Sequence, residues 1–156
     1  MVWAGVTSSG LKTPLIFIDV GVKINQHVYL DMLKHKVFAW VQKAMGETGI
    51  TFQQDGATSH TAKKVQDWYK SNFKSFWTKE LWPPSSPDLN PMDFGIWYIL
   101  EQKACTSSHK SVVALKNKLT KSLSEIDENT IRATCDQIIP RLRKVITQKV
   151  CYFEWF

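Results

Sequence analysis

Ile50-Thr51-Phe52-Gln53-Gln54-Asp55-Gly56-Ala57-Thr58-Ser59-His60 passes from a short apolar run to a carboxylate and then into small, polar, turn-forming residues. Ile50 to Gln54 reads as a strand, and Ser59 or Thr61 can cap a helix that carries Ala62, Val65, Trp68 and Tyr69 at helical spacing. An acid at the C-terminal end of a strand, just before a helix, is where α/β proteins place functional groups. Lys74 to Leu81 holds the next strand candidate, around Phe76 and Trp77. Two strands joined through a helix predict a parallel pair.

Upstream, Met1 to Val6 and Pro14 to Asp19 are apolar and rich in aromatic and branched residues, with Ser8, Ser9 and Gly10 between them, which predicts a β-hairpin. From Asn25, a candidate N-cap, Tyr29, Met32, Leu33, Val37, Trp40, Val41 and Ala44 recur at helical spacing until Gly46 supplies the stop. Downstream, Trp82 to Pro91 (WPPSSPDLNP) has four prolines in ten residues and must be a stiff, shaped loop. The pattern beyond it is helical: Met92 to Cys105, then Ser111 to Ile126 with Val112, Leu115, Leu119 and Leu123 on one face, then Asp127 onward with Ile131, Cys135, Ile138 and Leu142. Pro140 should kink or divide the last helix. The order predicts one α/β domain over residues 1–156, a mixed sheet flanked by helices with a helical C-terminal part.

Composition bounds the partners. The formal net charge is +6, which favours an acidic partner, nucleic acid being the commonest for a basic domain. Cys105, Cys135 and Cys151 are widely spaced and form no C-x-x-C pattern, which argues against a disulfide framework and a zinc site and fits a reducing compartment. The longest apolar runs, such as Pro14 to Phe17, fall far below a membrane span, and Met1 is not followed by a secretory pattern. A soluble intracellular protein is expected.

Ser86-Pro87-Asp88-Leu89-Asn90-Pro91-Met92-Asp93-Phe94 delivers a second carboxylate on a proline-stiffened loop to the start of a helix. Two carboxylates on separate rigid elements can converge on hard cations such as Mg²⁺ or Mn²⁺, which also bind phosphate oxygens, so phosphodiester chemistry is the natural inference. Each acid has a plainer reading. Asp55 can be a helix-initiating turn acid, Asp93 a first-turn acid favoured by the helix dipole, and Asp88 a turn residue that competes with Asp93 for the ligand role. His60 can touch DNA or a bound phosphate, or it can cap or pack. Lys63, Lys64, Arg132, Arg141, Arg143, Lys144 and Lys149 can contact phosphates or form a solvated face. The tryptophans read as packing residues.

The segments QQDGATSHTA and WPPSSPDLNPMDFGIW, with the opening MVWAGVTSSGLKTPLIFID and the INQHVYLDML helix, resemble blocks of the DDE/D transposases of the mariner superfamily over almost the whole chain. The resemblance implies an RNase H-like fold in which Asp55 and Asp93 are the second and third catalytic, metal-binding acids. Thirty-seven residues separate them, and an Asp in third place points to the mariner-like side of the superfamily. It further implies a pair of Mg²⁺ or Mn²⁺ ions, about 3.5–4 Å apart in generic two-metal sites, that activate water to cut DNA before the released 3′ hydroxyl attacks target DNA. The implied partners are transposon ends and target DNA, with a second copy of the chain, in the nucleus.

The chain departs from that pattern at its start. The family's first catalytic Asp lies on a central strand upstream of the block matching MVWAGV, and the helix-turn-helix DNA-recognition region lies further upstream. Asp19 falls where the family has a turn acid with no metal role. These 156 residues are therefore expected to be inactive alone, with the hairpin closing against the Asp55 strand or the domain remaining loose. A non-catalytic DNA-binding or self-associating remnant is the alternative, and an RNase H-like nuclease acting on RNA a third reading.

Overall fold

A computed structural model describes residues 1–46, 49–106 and 108–148; Lys149 and Cys151, named above, lie outside these described residues. The chain forms two compact units, one from Met1–Ile18 together with the chain from Pro87 onward, the other from Asp19–Ser86.

The Asp19–Ser86 unit begins with a helical run over 26–45. Asn25 caps it as expected, its side chain accepting the amides of His27 and Val28 at 2.9 and 3.1 Å. The run comprises α1 (Gln26–Met32), a π-helical segment (Leu33–Phe38) and α2 (Ala39–Met45), and it stops at Gly46, whose φ of 58° is a conformation that favours glycine. Two short strands follow, Thr51–Phe52 and Ser75–Phe76, here β3 and β4 because the hairpin described below supplies β1 and β2. They pair in parallel as predicted, Thr51 opposite Ser75 and Phe52 opposite Phe76, and the Trp77 amide donates to the Phe52 carbonyl at 2.9 Å. Between them lie α3 (Thr58–Thr61) and α4 (Lys63–Asn72).

Neither Ser59 nor Thr61 caps the second helix. Ala57 and Ala62 occupy the cap positions, without side-chain cap bonds. The local turn is made by Asp55 instead, whose Oδ1 accepts the Ala57 amide at 3.1 Å and so orders the chain two residues earlier. The core of this unit is aromatic. Tyr29 and Tyr69 are fully buried with Leu33, Val37 and Val65, and the Phe52 and Phe76 rings stack on Tyr69 at 4.9 and 5.5 Å. Trp68 packs edge-on to Phe38 at 5.5 Å, in keeping with the packing role expected of the tryptophans. Burial of each large apolar side chain stabilises such a unit by about 1.5–3 kcal/mol.

In the other unit the hairpin forms from β1 (Val2–Trp3) and β2 (Ile16–Phe17), antiparallel, with Val2 opposite Phe17 and Trp3 opposite Ile16. Gly10 turns it at φ 94°, and a Cβ there would meet the Glu128 carbonyl oxygen at 2.9 Å. The proline loop carries a 3₁₀ turn (Pro87–Leu89) and leads into a π-helical turn (Met92–Ile96) continuous with α5 (Trp97–Ala104). Then come α6 (Val112–Ser124), capped by Ser111, α7 (Glu128–Asp136), capped by Asp127, and α8 (Ile138–Gln148). The break between α7 and α8 puts Pro140 in a first helical turn, where its missing amide costs nothing, so Pro140 goes with a division of the helix. Ile96, Leu100, Leu123, Ile126, Ile131 and Cys135 form the core of this unit. Leu123 is buried as expected, whereas Val112, at the first turn of α6, is exposed. Lys12 ties the hairpin to the end of α6 by donating to the carbonyls of Ser124 and Ile126.

The secondary structure is α/β, but the single mixed sheet expected from the strand order is not present among the described residues. The strands form two separate two-stranded sheets, β1 with β2 and β3 with β4. Each strand is two residues long and bonds only to the partner that its nearby chain connection supplies, and no described residue forms a strand bridging the two ladders. Cys105 and Cys135 are free thiols. No helix among the described residues is long and apolar enough to cross a membrane.

Candidate functional site

Asp55 lies three residues after β3 and precedes α3, the position anticipated for it. Its carboxylate is fixed by two donors that both end on Oδ1: the Ala57 amide at 3.1 Å and the His60 ring nitrogen Nδ1 at 2.5 Å. An ionised carboxylate offers only acceptors, so the imidazole donates. The His60 hydrogen bond, aided by the Ala57 amide and opposed by partial burial, holds the Asp55 carboxyl below the usual carboxylate range. Asp55 keeps 47% of its side chain exposed, whereas His60 keeps 15%. The acid is therefore both ionised and reachable.

Behind this pair lies a buried polar network. The His60 ring stacks on Tyr29 at 4.0 Å. The Gln54 Oε1 accepts the hydroxyls of Tyr29 and Tyr69 at 3.0 and 2.8 Å, while its Nε2 donates to the His60 carbonyl at 3.2 Å. Gln66 donates to the same carbonyl at 3.0 Å. Burial pushes the Tyr69 phenol far above its ordinary value, which keeps it a neutral donor. His60 thus packs, as its plainer reading held, and in addition holds Asp55.

Asp93 lies in the other unit, exposed in the first turn of the π-helical segment. Its amide donates to the Asn90 carbonyl at 2.9 Å, and the Asn90 side chain donates to its Oδ2 at 2.9 Å. Asp88 belongs to the 3₁₀ turn, where its carbonyl accepts Nη1 of Arg141 at 3.1 Å, so this residue has the turn role proposed for it. Asp19 closes a turn through its carbonyl, which accepts the Val22 amide at 3.2 Å. Among the described residues, no group of three or more His, Cys, Asp or Glu side chains is placed to hold a metal ion.

The basic candidates separate into two kinds. Arg132 is engaged with the Ser9 carbonyl, Asn129 and Glu128, at 2.8, 3.2 and 2.8 Å, and Arg141 with Asp88 and the Phe94 ring. Both serve internal structure. Lys63 and Lys64, eight and nine residues after Asp55 at the start of α4, are exposed, as are Arg143 and Lys144 on α8.

Sequence reasoning missed Gln54, Tyr29 and Tyr69 as a unit. The only available signal was two adjacent glutamines at the end of an apolar strand, which rarely leaves a buried amide unpaired.

No family model matches the chain. It is 32% identical over 102 residues to the transposable element Tcb2 transposase of Caenorhabditis briggsae, spanning 65% of this chain and 34% of that protein. It is 27% identical over 148 residues to the transposable element Tc3 transposase of Caenorhabditis elegans, spanning 94% of this chain and 43% of that protein. The chain thus covers well under half the length of these curated relatives. Among solved structures, the Mos1 transposase catalytic domain with Mn has a TM-score of 0.83 at 22% identity, covering 98% of this chain and 76% of that one. A Mos1 paired-end complex with the left transposon end has a TM-score of 0.82 at 23% identity, covering 98% and 44%. At this identity the structural likeness shows the fold alone, that of the Mos1 catalytic domain, and the sequence likeness to the Tcb2 and Tc3 transposases extends over part of their length.

Proposed function

We propose that these residues form part of an RNase H-like core that cleaves and joins DNA by metal-dependent phosphodiester transfer, with Asp55 and Asp93 as ligands for Mg²⁺ or Mn²⁺. The observation that carries this reading is the state of Asp55: an ionised, half-exposed carboxylate, braced on one oxygen, at the mouth of a strand–helix turn in a chain related to transposases. The donor set fits the ion. Mg²⁺ takes one or two carboxylates, keeps several waters and accepts phosphate oxygens, so two Asp residues suit it in kind without a dedicated protein cage. When bound, such ions stabilise the attacking and leaving oxygens of an in-line displacement. The chain's own contribution is to hold the ligand carboxylates ionised and oriented, with Asp55 set by His60 and Ala57 and Asp93 set by Asn90.

Residues 1–156 supply two of the three acids called for by the family resemblance. They are expected to bind metal and DNA. The partner is duplex DNA, transposon ends and target, engaged as a homodimer in the nucleus. A non-catalytic DNA-binding or self-associating role is the second reading, favoured by the formal net charge of +6.

Fluorescence anisotropy with a labelled DNA duplex, with and without Mn²⁺, tests the proposal. Mn²⁺ should tighten binding several-fold in the unaltered chain, and Asp55→Asn and Asp93→Asn should lose that increment. Binding indifferent to Mn²⁺ in all three proteins would support the non-catalytic role, and tighter binding of an RNA duplex would redirect the reading to RNA.

A further inference from the structure

Both hydrogen bonds described for the Asp55 carboxylate end on the same oxygen, Oδ1. The donors differ in kind. The Ala57 amide is a local turn contact, whereas the His60 imidazole is held from outside the turn by the face of Tyr29 at 4.0 Å, and the His60 carbonyl by the side-chain amides of Gln54 and Gln66. Tyr29 is itself buried and bonded to Gln54, so α1, the chain just after β3 and α4 together set where the imidazole stands. Such a ring has little freedom to follow the carboxylate. The carboxylate is obliged to follow the ring.

We infer that His60 is a positioning residue for metal binding: by holding Oδ1 it turns the Asp55 carboxylate so that Oδ2 is the oxygen presented to a divalent cation, making Asp55 a one-oxygen ligand. The inference rests on the metal-ligand reading of Asp55 and goes beyond it by assigning the orientation to a residue outside the carboxylate set. Groups that orient metal ligands through hydrogen bonds are worth about 10- to 100-fold in metal affinity. The effect belongs to the N–H donor at Nδ1 and not to the ring as packing. Asn reproduces the donor, because its side-chain nitrogen lies the same number of bonds from the backbone as Nδ1, but it cannot stack. Phe reproduces the ring and not the donor.

Calorimetric titration of Mn²⁺ into the full chain and into Asp55→Asn, His60→Phe and His60→Asn separates the possibilities, with thermal unfolding of each variant as the check that it is folded. The expected result is that His60→Phe loses about 10- to 100-fold in Mn²⁺ affinity while remaining folded, and that His60→Asn stays within a few-fold of the unaltered chain. Unchanged affinity in His60→Phe, with affinity lost in Asp55→Asn, would overturn the positioning role and leave the metal reading standing. Equal losses in His60→Phe and His60→Asn would assign the effect to the ring and would also overturn it. Absence of Mn²⁺ binding in the unaltered chain, or binding indifferent to Asp55→Asn, would overturn the metal reading and this inference together.

Discussion

The guanidinium of Arg141 lies over the ring of Phe94, 3.9 Å from its centre, and Nη1 donates to the Asp88 carbonyl at 3.1 Å. These contacts join α8 to the chain on both sides of Asp93: the 3₁₀ turn that leads to it and the aromatic residue that follows it. Arg141 had two readings, a phosphate contact or part of a solvated face, and its position makes it a brace for the acidic loop. A cation over an aromatic face contributes about 0.5–2 kcal/mol, and a charged hydrogen bond to a carbonyl about 1.5–3 kcal/mol. Arg141→Ala should therefore destabilise the protein by about 1–3 kcal/mol in urea unfolding. Arg141→Lys should recover only part, because an ammonium lacks the planar fork that stacks and donates at once.

Gln54 should be more sensitive than its half-buried position suggests. Gln54→Ala would remove the acceptor that the buried hydroxyls of Tyr29 and Tyr69 share, leaving them their longer 3.3 Å contact with each other, and the loss of a good acceptor from a buried donor costs about 1–3 kcal/mol. A loss of about 1–3 kcal/mol is expected, against about 1 kcal/mol for Tyr69→Phe, which removes donor and demand together. Coupling between the two substitutions, read from a double-mutant cycle in urea, should be large. Additive effects would mean that other contacts, such as the one between the two hydroxyls, replace the Gln54 acceptor.

Asp55 gives the chain an acid-sensitive contact. Its carboxyl is held below the ordinary range in the folded protein by the His60 hydrogen bond. The unfolded state therefore binds the proton more readily, and the contact stabilises the fold above the unfolded value, near 3.9. That stability is lost as pH falls through the depressed folded value. Because the side chain is half exposed, solvent screening keeps the effect modest. Urea midpoints measured from pH 6 to pH 2 should fall more steeply for the unaltered chain than for Asp55→Asn, which keeps an Oδ1 acceptor for Ala57 but does not titrate.

Much of this arrangement was legible because it is local. The Asn25 cap, the Gly46 stop and the placing of Asp55 between strand and helix follow from residue types within a few positions of one another, and the parallel pairing of β3 with β4 follows from the strand–helix–strand order. The cap expected of Ser59 or Thr61 failed for an equally local reason, since Asp55 had already formed the turn. The π-helical segments at Leu33–Phe38 and Met92–Ile96 have no residue type that marks them, and a search for helical periodicity cannot separate them from α-helix. The polar network was illegible because it joins residues far apart, Tyr29 standing 25 positions from Gln54. The same holds for Arg141 and Asp88, 53 positions apart.

Lys63 and Lys64 are the basic residues best placed to meet phosphate near Asp55, being exposed at the start of α4. Replacing each with Ala should weaken duplex DNA binding by a similar factor across unrelated sequences and lower the slope of log affinity against log salt by about 1 per lysine. Arg132→Ala, by contrast, should leave the salt slope unchanged and reduce stability, since its guanidinium is committed to Ser9, Asn129 and Glu128. Anisotropy titrations over a range of NaCl concentrations would distinguish the two.

The ligand role proposed for Asp55 and Asp93 makes metal affinity depend on each carboxylate, which calorimetric titration of Mn²⁺ into the unaltered chain, Asp55→Asn and Asp93→Asn measures. The predicted result is measurable binding that is lost in both variants while their thermal unfolding stays cooperative. Binding that survives both substitutions, or none in the unaltered chain, would contradict that role and leave the likeness to transposases as one of fold and sequence alone.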